Sequence, residues 1–247
     1  MYTGSILTRN YSQKSYSIWY AIIVTKMDRW KVTYFVSASG TNPVKDFLDV
    51  NLKAKVKALR IFSNIEEYGL TSVIHHIKKL TGTPLWEIRI LGEDSTRILY
   101  VTRSGKQILL LHAFVKKSDK TPLRDLSIAL NRLREVDILT EWYLLGYHSS
   151  MRVYTFEQHL KESLKDPEFR KAWEQSEAEY QISRALIAAR IHKKISQREL
   201  AKRANTTQAV ISRLEGMNAN PSIGLIQKIA SALNLKLKIQ LVGWSKT

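Results

Sequence analysis

Ser196-Gln197-Arg198-Glu199-Leu200-Ala201-Lys202-Arg203-Ala204-Asn205-Thr206-Thr207-Gln208-Ala209-Val210-Ile211-Ser212-Arg213-Leu214-Glu215 reads as two short helices meeting at a tight turn. Ser196 followed three residues later by Glu199 predicts a capping box, the serine oxygen accepting an orphan backbone N–H and the glutamate reaching back to the cap. Leu200, Ala201 and Ala204 give the first helix an apolar stripe, and Asn205 stands where a left-handed residue ends it. Thr207 caps a second helix whose Val210, Ile211 and Leu214 face inward. Gln208, Ala209, Ser212 and Arg213 are left facing out, a set that suits a DNA groove: glutamine pairs with the adenine edge, arginine with guanine or a phosphate. A capping box alone is equally the mark of a solvated helical hairpin. The twenty-residue combination points instead to a DNA-binding helix-turn-helix, with Gln197 and Thr207 at the helix starts as further contact candidates.

The 247 residues suffice for two domains that each bury a core. Lys and Arg number 39 against 22 Asp and Glu, a net +17 that attracts polyanions. The excess is shared, +6 over 27–150 and +8 over 151–247, so one DNA-binding domain does not account for it. The absence of cysteine excludes disulfides, zinc–thiolate sites and cysteine nucleophiles, and suits the cytoplasm. His75 and His76 are adjacent, which on a helix turns them about 100° apart, so no metal site and no cofactor is expected. Ile18 to Val24 is too short an apolar run to cross a membrane.

Residues 1–26 carry no period and read as an N-terminal extension. Trp30 to Val36 alternates as a strand, Pro43 opens a helix with Val44, Phe47 and Leu48, and Val56, Leu59, Phe62 and Ile65 continue a helical hairpin to Gly69. Leu85 to Leu91, Thr96 to Thr102 and Gln107 to Val115 form an antiparallel meander, and Pro122 opens a helix to about Val136 with Leu126, Ala129, Leu130 and Leu133 on one side. The expected fold is α+β: a domain over 27–137, a linker over 138–151, and a mainly helical domain over 152–247. In that second domain Val153 to Leu164, Pro167 to Tyr180 and Ile182 to His192 read as helices, and Leu235, Leu237, Ile239 and Leu241 as a closing edge or dimer strand.

The helix-turn-helix stretch, with Asn220 to Leu235 behind it, resembles the Cro/repressor-like (XRE) family, and the second domain is similar to HigA-like antitoxins. Leu85–Ile90, Arg97–Val101 and Leu109–Pro122 together resemble the RelE/ParE toxin superfamily in its HigB-like branch, over roughly Trp30 to Val136. The resemblance implies a metal-independent endoribonuclease acting on mRNA in the ribosome, fused to the antitoxin that neutralises it, binds operator DNA and represses its own promoter as a homodimer. It also implies that Arg97 clamps the scissile phosphate with Arg89 as neighbour, that Lys116, Lys117 and Lys120 hold RNA backbone or developing charge, and that Lys78 and Lys79 extend the RNA surface. His112 is the one histidine near these strands able to titrate near neutrality. The second domain is expected to cover the first one's basic face.

Each residue has a plainer role beside it. Strand arginines pair with carboxylates such as Glu87, His112 serves as a satisfied core residue, and the lysine run as a solvated face. Two rival functions stay open: a DNA-binding regulator with an inert RelE-like domain, and a ParE-like gyrase toxin.

Overall fold

Strands β1 (Lys31–Tyr34), β2 (Ile77–Lys79), β3 (Trp86–Ile90), β4 (Thr96–Arg103), β5 (Gln107–Val115) and β6 (Tyr154–Thr155) form one mixed sheet in the order β2-β3-β4-β5-β1-β6. They belong to a computed structural model that describes residues 29–92, 95–117, 121–144 and 153–239. The extension 1–26, Met27, Lys120, the second half of the linker and the end of the expected closing strand lie outside the described residues.

The meander β3-β4-β5 is antiparallel as its alternation requires, whereas β1 runs parallel to β5, with Val32 opposite Ile108. Helices α1 (Pro43–Asp49) and α2 (Leu52–Tyr68) cover one face of the sheet. Asn42 and Asn51 cap them, their side-chain oxygens accepting the Lys45 and Ala54 N–H groups. Leu48, Leu59, Phe62 and Ile65 pack there against Ile88, Ile98, Tyr100 and Leu110. Gly69 ends α2 with φ 77°, and a Cβ there would stand 2.8 Å from Trp30 Nε1, so both its φ and its crowding call for glycine.

Helix α3 (Leu123–Leu144) covers the other face, Leu126, Ala129, Leu130, Leu133 and Val136 packing on Leu99, Val101, Leu111 and Phe114. It runs past the expected end at Val136, so the first part of the linker is helix: Thr140 donates its hydroxyl to the Val136 carbonyl within that extra length.

In the second half, Val153 to Leu164 is not one helix. Tyr154 and Thr155 form β6, pairing antiparallel with Tyr34 and Thr33, and α4 (Phe156–Ser163) starts behind a capping box of Thr155 and Gln158. The expected helix Pro167 to Tyr180 divides at Ser176 into α5 (Pro167–Gln175) and α6 (Glu177–His192). Helices α7 (Gln197–Arg203), α8 (Gln208–Glu215) and α9 (Ile223–Ala232) close on Leu186, Leu200, Ile211, Leu214, Ile229 and Leu233. Residues 235–239 are not a strand, and Leu235 and Ile239 are exposed: an alternating segment becomes a strand only beside another, and none lies beside it among the described residues. No described helix is long and apolar enough to cross a membrane.

Candidate functional site

Three sites carry chemistry. The first is the seam between the halves, centred on Arg60 of α2, only 3% exposed. Its guanidinium lies 3.5 Å from the Trp173 ring centroid and 4.2 Å from that of Tyr180. It donates to Glu177 Oε2 at 2.6 Å and to the Trp173 carbonyl at 2.9 Å. Along the same helix Ser63 bonds the Tyr180 hydroxyl, and Arg184 of α6 reaches Glu67 and the Tyr68 hydroxyl. Phe156 and Phe169 sink into the same core as Phe62 and Leu59.

Below them His159 is fully enclosed. Its Nε2 lies 3.1 Å from Asp49 Oδ1 and its Nδ1 2.8 Å from the Tyr34 hydroxyl, so a neutral ring donates to Asp49 and accepts from Tyr34. Burial pushes the Asp49 carboxyl up, but Lys45, Lys55 and His159 outweigh it and hold it at about 2. The second half therefore sits on α2 and the β1 edge. The expected cover over the basic sheet face is not what these contacts build.

The second site is that sheet face. Register places Lys78, Glu87, Leu99 and His112 in one row, and Arg89, Arg97 and Phe114 in the next. Paired residues share a face, so Lys78, Arg89, Arg97 and His112, four of the residues expected from sequence, and their neighbour Glu87 project to the side that α3 covers. Lys79 does not: paired with Trp86, it points to the opposite face, its Nζ 5.2 Å from that ring. Arg97 is 8% exposed and Glu87 1%. They form an ion pair at 3.3 Å between Nε and Oε1, though neither atom makes a hydrogen bond. Burial lowers the Arg97 pKa against the pull of Glu87. Thr121 donates its hydroxyl to Glu87 Oε2, and Arg89 donates to the His75 carbonyl.

His112 is half-buried in a clamp from α3, Nε2 2.8 Å from Asp125 Oδ1 and Nδ1 3.0 Å from Arg132 Nη1. An arginine only donates, so Nδ1 accepts and Nε2–H donates, leaving both ring nitrogens engaged. Burial lowers the ring's pKa, Asp125 opposing it. Lys116 is half-buried and Lys117 exposed just past β5. Glu87, expected from sequence as a partner for a strand arginine, does pair with Arg97, whereas Thr121, Asp125 and Arg132 were not singled out. Asp125 and Arg132 do share the sheet-facing stripe of α3 with Ala129, a signal that a count of apolar positions alone passes over. Among the described residues, no group of three or more His, Asp or Glu is placed to hold a metal ion.

The third site is the helix-turn-helix. Ser196 accepts the Glu199 N–H, but the glutamate side chain pairs with Arg203 at 3.0 Å, so the cap is one-sided. Asn205 takes φ 45°, the left-handed turn its position requires, and Thr207 caps α8 through the Val210 N–H. Thr207, Gln208, Ala209 and Arg213 are exposed and Ser212 half-exposed on the outer side of α8. Gln197 faces the other way. It is buried, its amide donating to Glu215 Oε2 at 2.8 Å and lying 3.3 Å from His75 Nδ1, because Glu215 and Arg190 form a buried ion pair that draws in a third partner. Gly216 lets this corner close on the first half, since a Cβ there would stand 3.0 Å from His75 Nε2.

Residues 45–134 match a family described as phage derived protein Gp49-like, and residues 186–239 match a helix-turn-helix family. Over 76 residues the chain is 36% identical to Antitoxin HigA1 of Mycobacterium tuberculosis, strain CDC 1551 / Oshkosh, and equally to Antitoxin HigA1 of strain ATCC 25618 / H37Rv. These matches take in 31% of this chain and 51% of each relative, so the chain spans about half the length of the curated relatives it matches. The chain thus carries a Gp49-like domain followed by an XRE-type helix-turn-helix domain.

Proposed function

We propose that this chain is a fused toxin–antitoxin pair, a HigB-like endoribonuclease unit over 27–137 held by a HigA-like unit over 152–247. The observation that carries the reading is the Arg60 seam. A cation on the first unit's longest hairpin helix is enclosed by Trp173, Glu177 and Tyr180 of the second, which also lends β6 to the first unit's sheet. Such an arrangement restrains the first unit by bulk and by fixing α2, keeping it out of the ribosome, with the Arg97 face left to α3.

In the proposed reaction a ribose 2′-oxygen attacks the adjacent phosphorus and the P–O5′ bond breaks. The products are a cyclic phosphate and a 5′-hydroxyl, with no metal. Arg97 and Arg89, side by side across β3 and β4, supply charge for the crowded phosphate; Lys116 and Lys117, and on the same face Lys78, hold backbone. Arg97 must first exchange Glu87 for the phosphate. The helix-turn-helix reads operator DNA through Gln208, Ser212 and Arg213, and as a cytoplasmic homodimer the chain represses its own promoter across two half-sites about one helical turn apart.

The test is growth of cells expressing the full chain or the same chain with Trp173→Ala and Glu177→Lys, which sets a like charge against Arg60. Growth arrest by the opened chain, cured by Arg97→Ala, supports the reading. A second reading, a DNA-binding regulator with an inert first unit, is favoured by the Arg97–Glu87 pair and by the clamp on both nitrogens of His112. It expects no arrest from either chain.

A further inference from the structure

Between the two halves lies a cavity of about 560 Å³, within the range of about 300–1,000 Å³ that takes a small organic molecule. Its walls come from the start of α2, the end of β3 and the second half, so it exists only while the halves are packed. Leu52, Val56, Ile90, Leu91, Ala172 and Met217 make it largely apolar.

The cavity's polar residues include Lys53, Arg60, Glu179 and Lys57, and Lys57 is a cation held by neutral acceptors. Its Nζ donates to the Leu91 carbonyl at 2.8 Å and to Asn218 Oδ1 at 3.0 Å, both neutral acceptors, and an ammonium has a third N–H to give. Glu179 lines the same cavity and attracts Lys57 without forming an ion pair with it, and its exposure leaves it solvated. Arg60, also in the wall, is already engaged by Glu177, Trp173 and Ser176. Burial lowers the Lys57 pKa while Glu179 opposes it, as expected of a cation partly withdrawn from water. An anion at this nitrogen would restore what burial removes, and the apolar walls favour a hydrocarbon or aromatic body behind it.

We propose that the cavity is a binding site for a small apolar monoanion, its carboxylate or sulfonate at Lys57 Nζ and its body between Leu52 of the first half and Met217 of the second. Because both halves supply the wall, the bound anion clasps the seam and raises the melting temperature of the whole chain.

The probe is 8-anilinonaphthalene-1-sulfonate, titrated by fluorescence into the full chain with decanoate as competitor. The expected result is one saturable site emptied by decanoate and lost in Ala172→Phe, which fills the cavity. Lys57→Met should weaken both anions about tenfold, the scale of a charge-assisted contact, and leave uncharged decanol unaffected. Circular dichroism verifies that each variant is folded, and should Ala172→Phe not fold, Lys57→Met decides. Fluorescence that decanoate does not displace, or anion binding unchanged by Lys57→Met, overturns the proposal.

Discussion

The Arg60 guanidinium of α2 lies over the Trp173 ring of α5, 3.5 Å from its centroid, with the Tyr180 ring centroid at 4.2 Å and Glu177 within hydrogen-bond reach. A cation so placed joins the first half's main helix to three residues of the second in one contact, and its loss leaves two rings and a carboxylate without their partner. Arg60→Met is expected to cost about 2 kcal/mol, the sum of two desolvated cation–π contacts less what the methionine packs back. Arg60→Lys recovers little of it, since an ammonium cannot stack between two rings and donate in a plane. Urea unfolding followed at the tryptophans checks this. A single transition with a lower midpoint is expected, and an unchanged midpoint would remove Arg60 from the account of the seam.

Glu66 gives the seam a pH dependence. Burial pushes its carboxyl up to about 8 from 4.5, the Val32 N–H opposing and Glu157 of α4 reinforcing. The folded chain then holds a proton that the unfolded chain releases, so stability falls as pH rises from 4.5 towards 8 and levels off above that. Partial exposure makes the effect smaller than the shift alone implies. Glu66→Gln keeps the acceptor for Val32 and removes the charge. Its advantage over the parent chain should widen across this window in thermal melts, and parallel curves would contradict the assignment.

The helix-turn-helix separates two glutamines that look alike in sequence. Gln208 and Arg213 lie on the exposed side of α8, and replacing either by alanine should cost about 1–3 kcal/mol in binding to the chain's own promoter DNA. Gln197→Ala removes a bond to the buried Glu215 instead, lowering stability by about 1 kcal/mol while base preference persists. Anisotropy titrations over several salt concentrations tell the cases apart. Equal loss of base preference from Gln197→Ala would return that residue to the DNA.

Much of this architecture was legible because it is written in local periods. The meander β3-β4-β5, the hairpin α1-α2 and the turn at Asn205 follow from alternation, capping and a left-handed residue, each decided within a few positions. What escaped was set at long range. Tyr154 and Thr155 become a strand only because β1 offers an open edge, and Leu235 to Ile239, with better alternation, do not, since no strand lies beside them among the described residues. Arg60 stands on the stripe of a buried helix, yet Glu177, 117 residues away, cannot be matched to it by spacing. The candidate site divides the same way. Register alone puts Arg89 beside Arg97 and sends Lys79 to the far face, while Asp125 and Arg132 reach His112 only once α3 has docked.

Cleavage of a translated message by purified protein tests whether the first half is an endoribonuclease restrained by the seam. The full chain, its Trp173→Ala and Glu177→Lys variant, and that variant with Arg97→Ala are each added to a translating extract, and the message's new 5′ ends are mapped. Intact message is expected with the parent chain, discrete cuts within translated sequence when the seam is opened, and their loss with Arg97→Ala. Intact message with a seam shown to be open would contradict it and leave a DNA-binding chain with a silent first half.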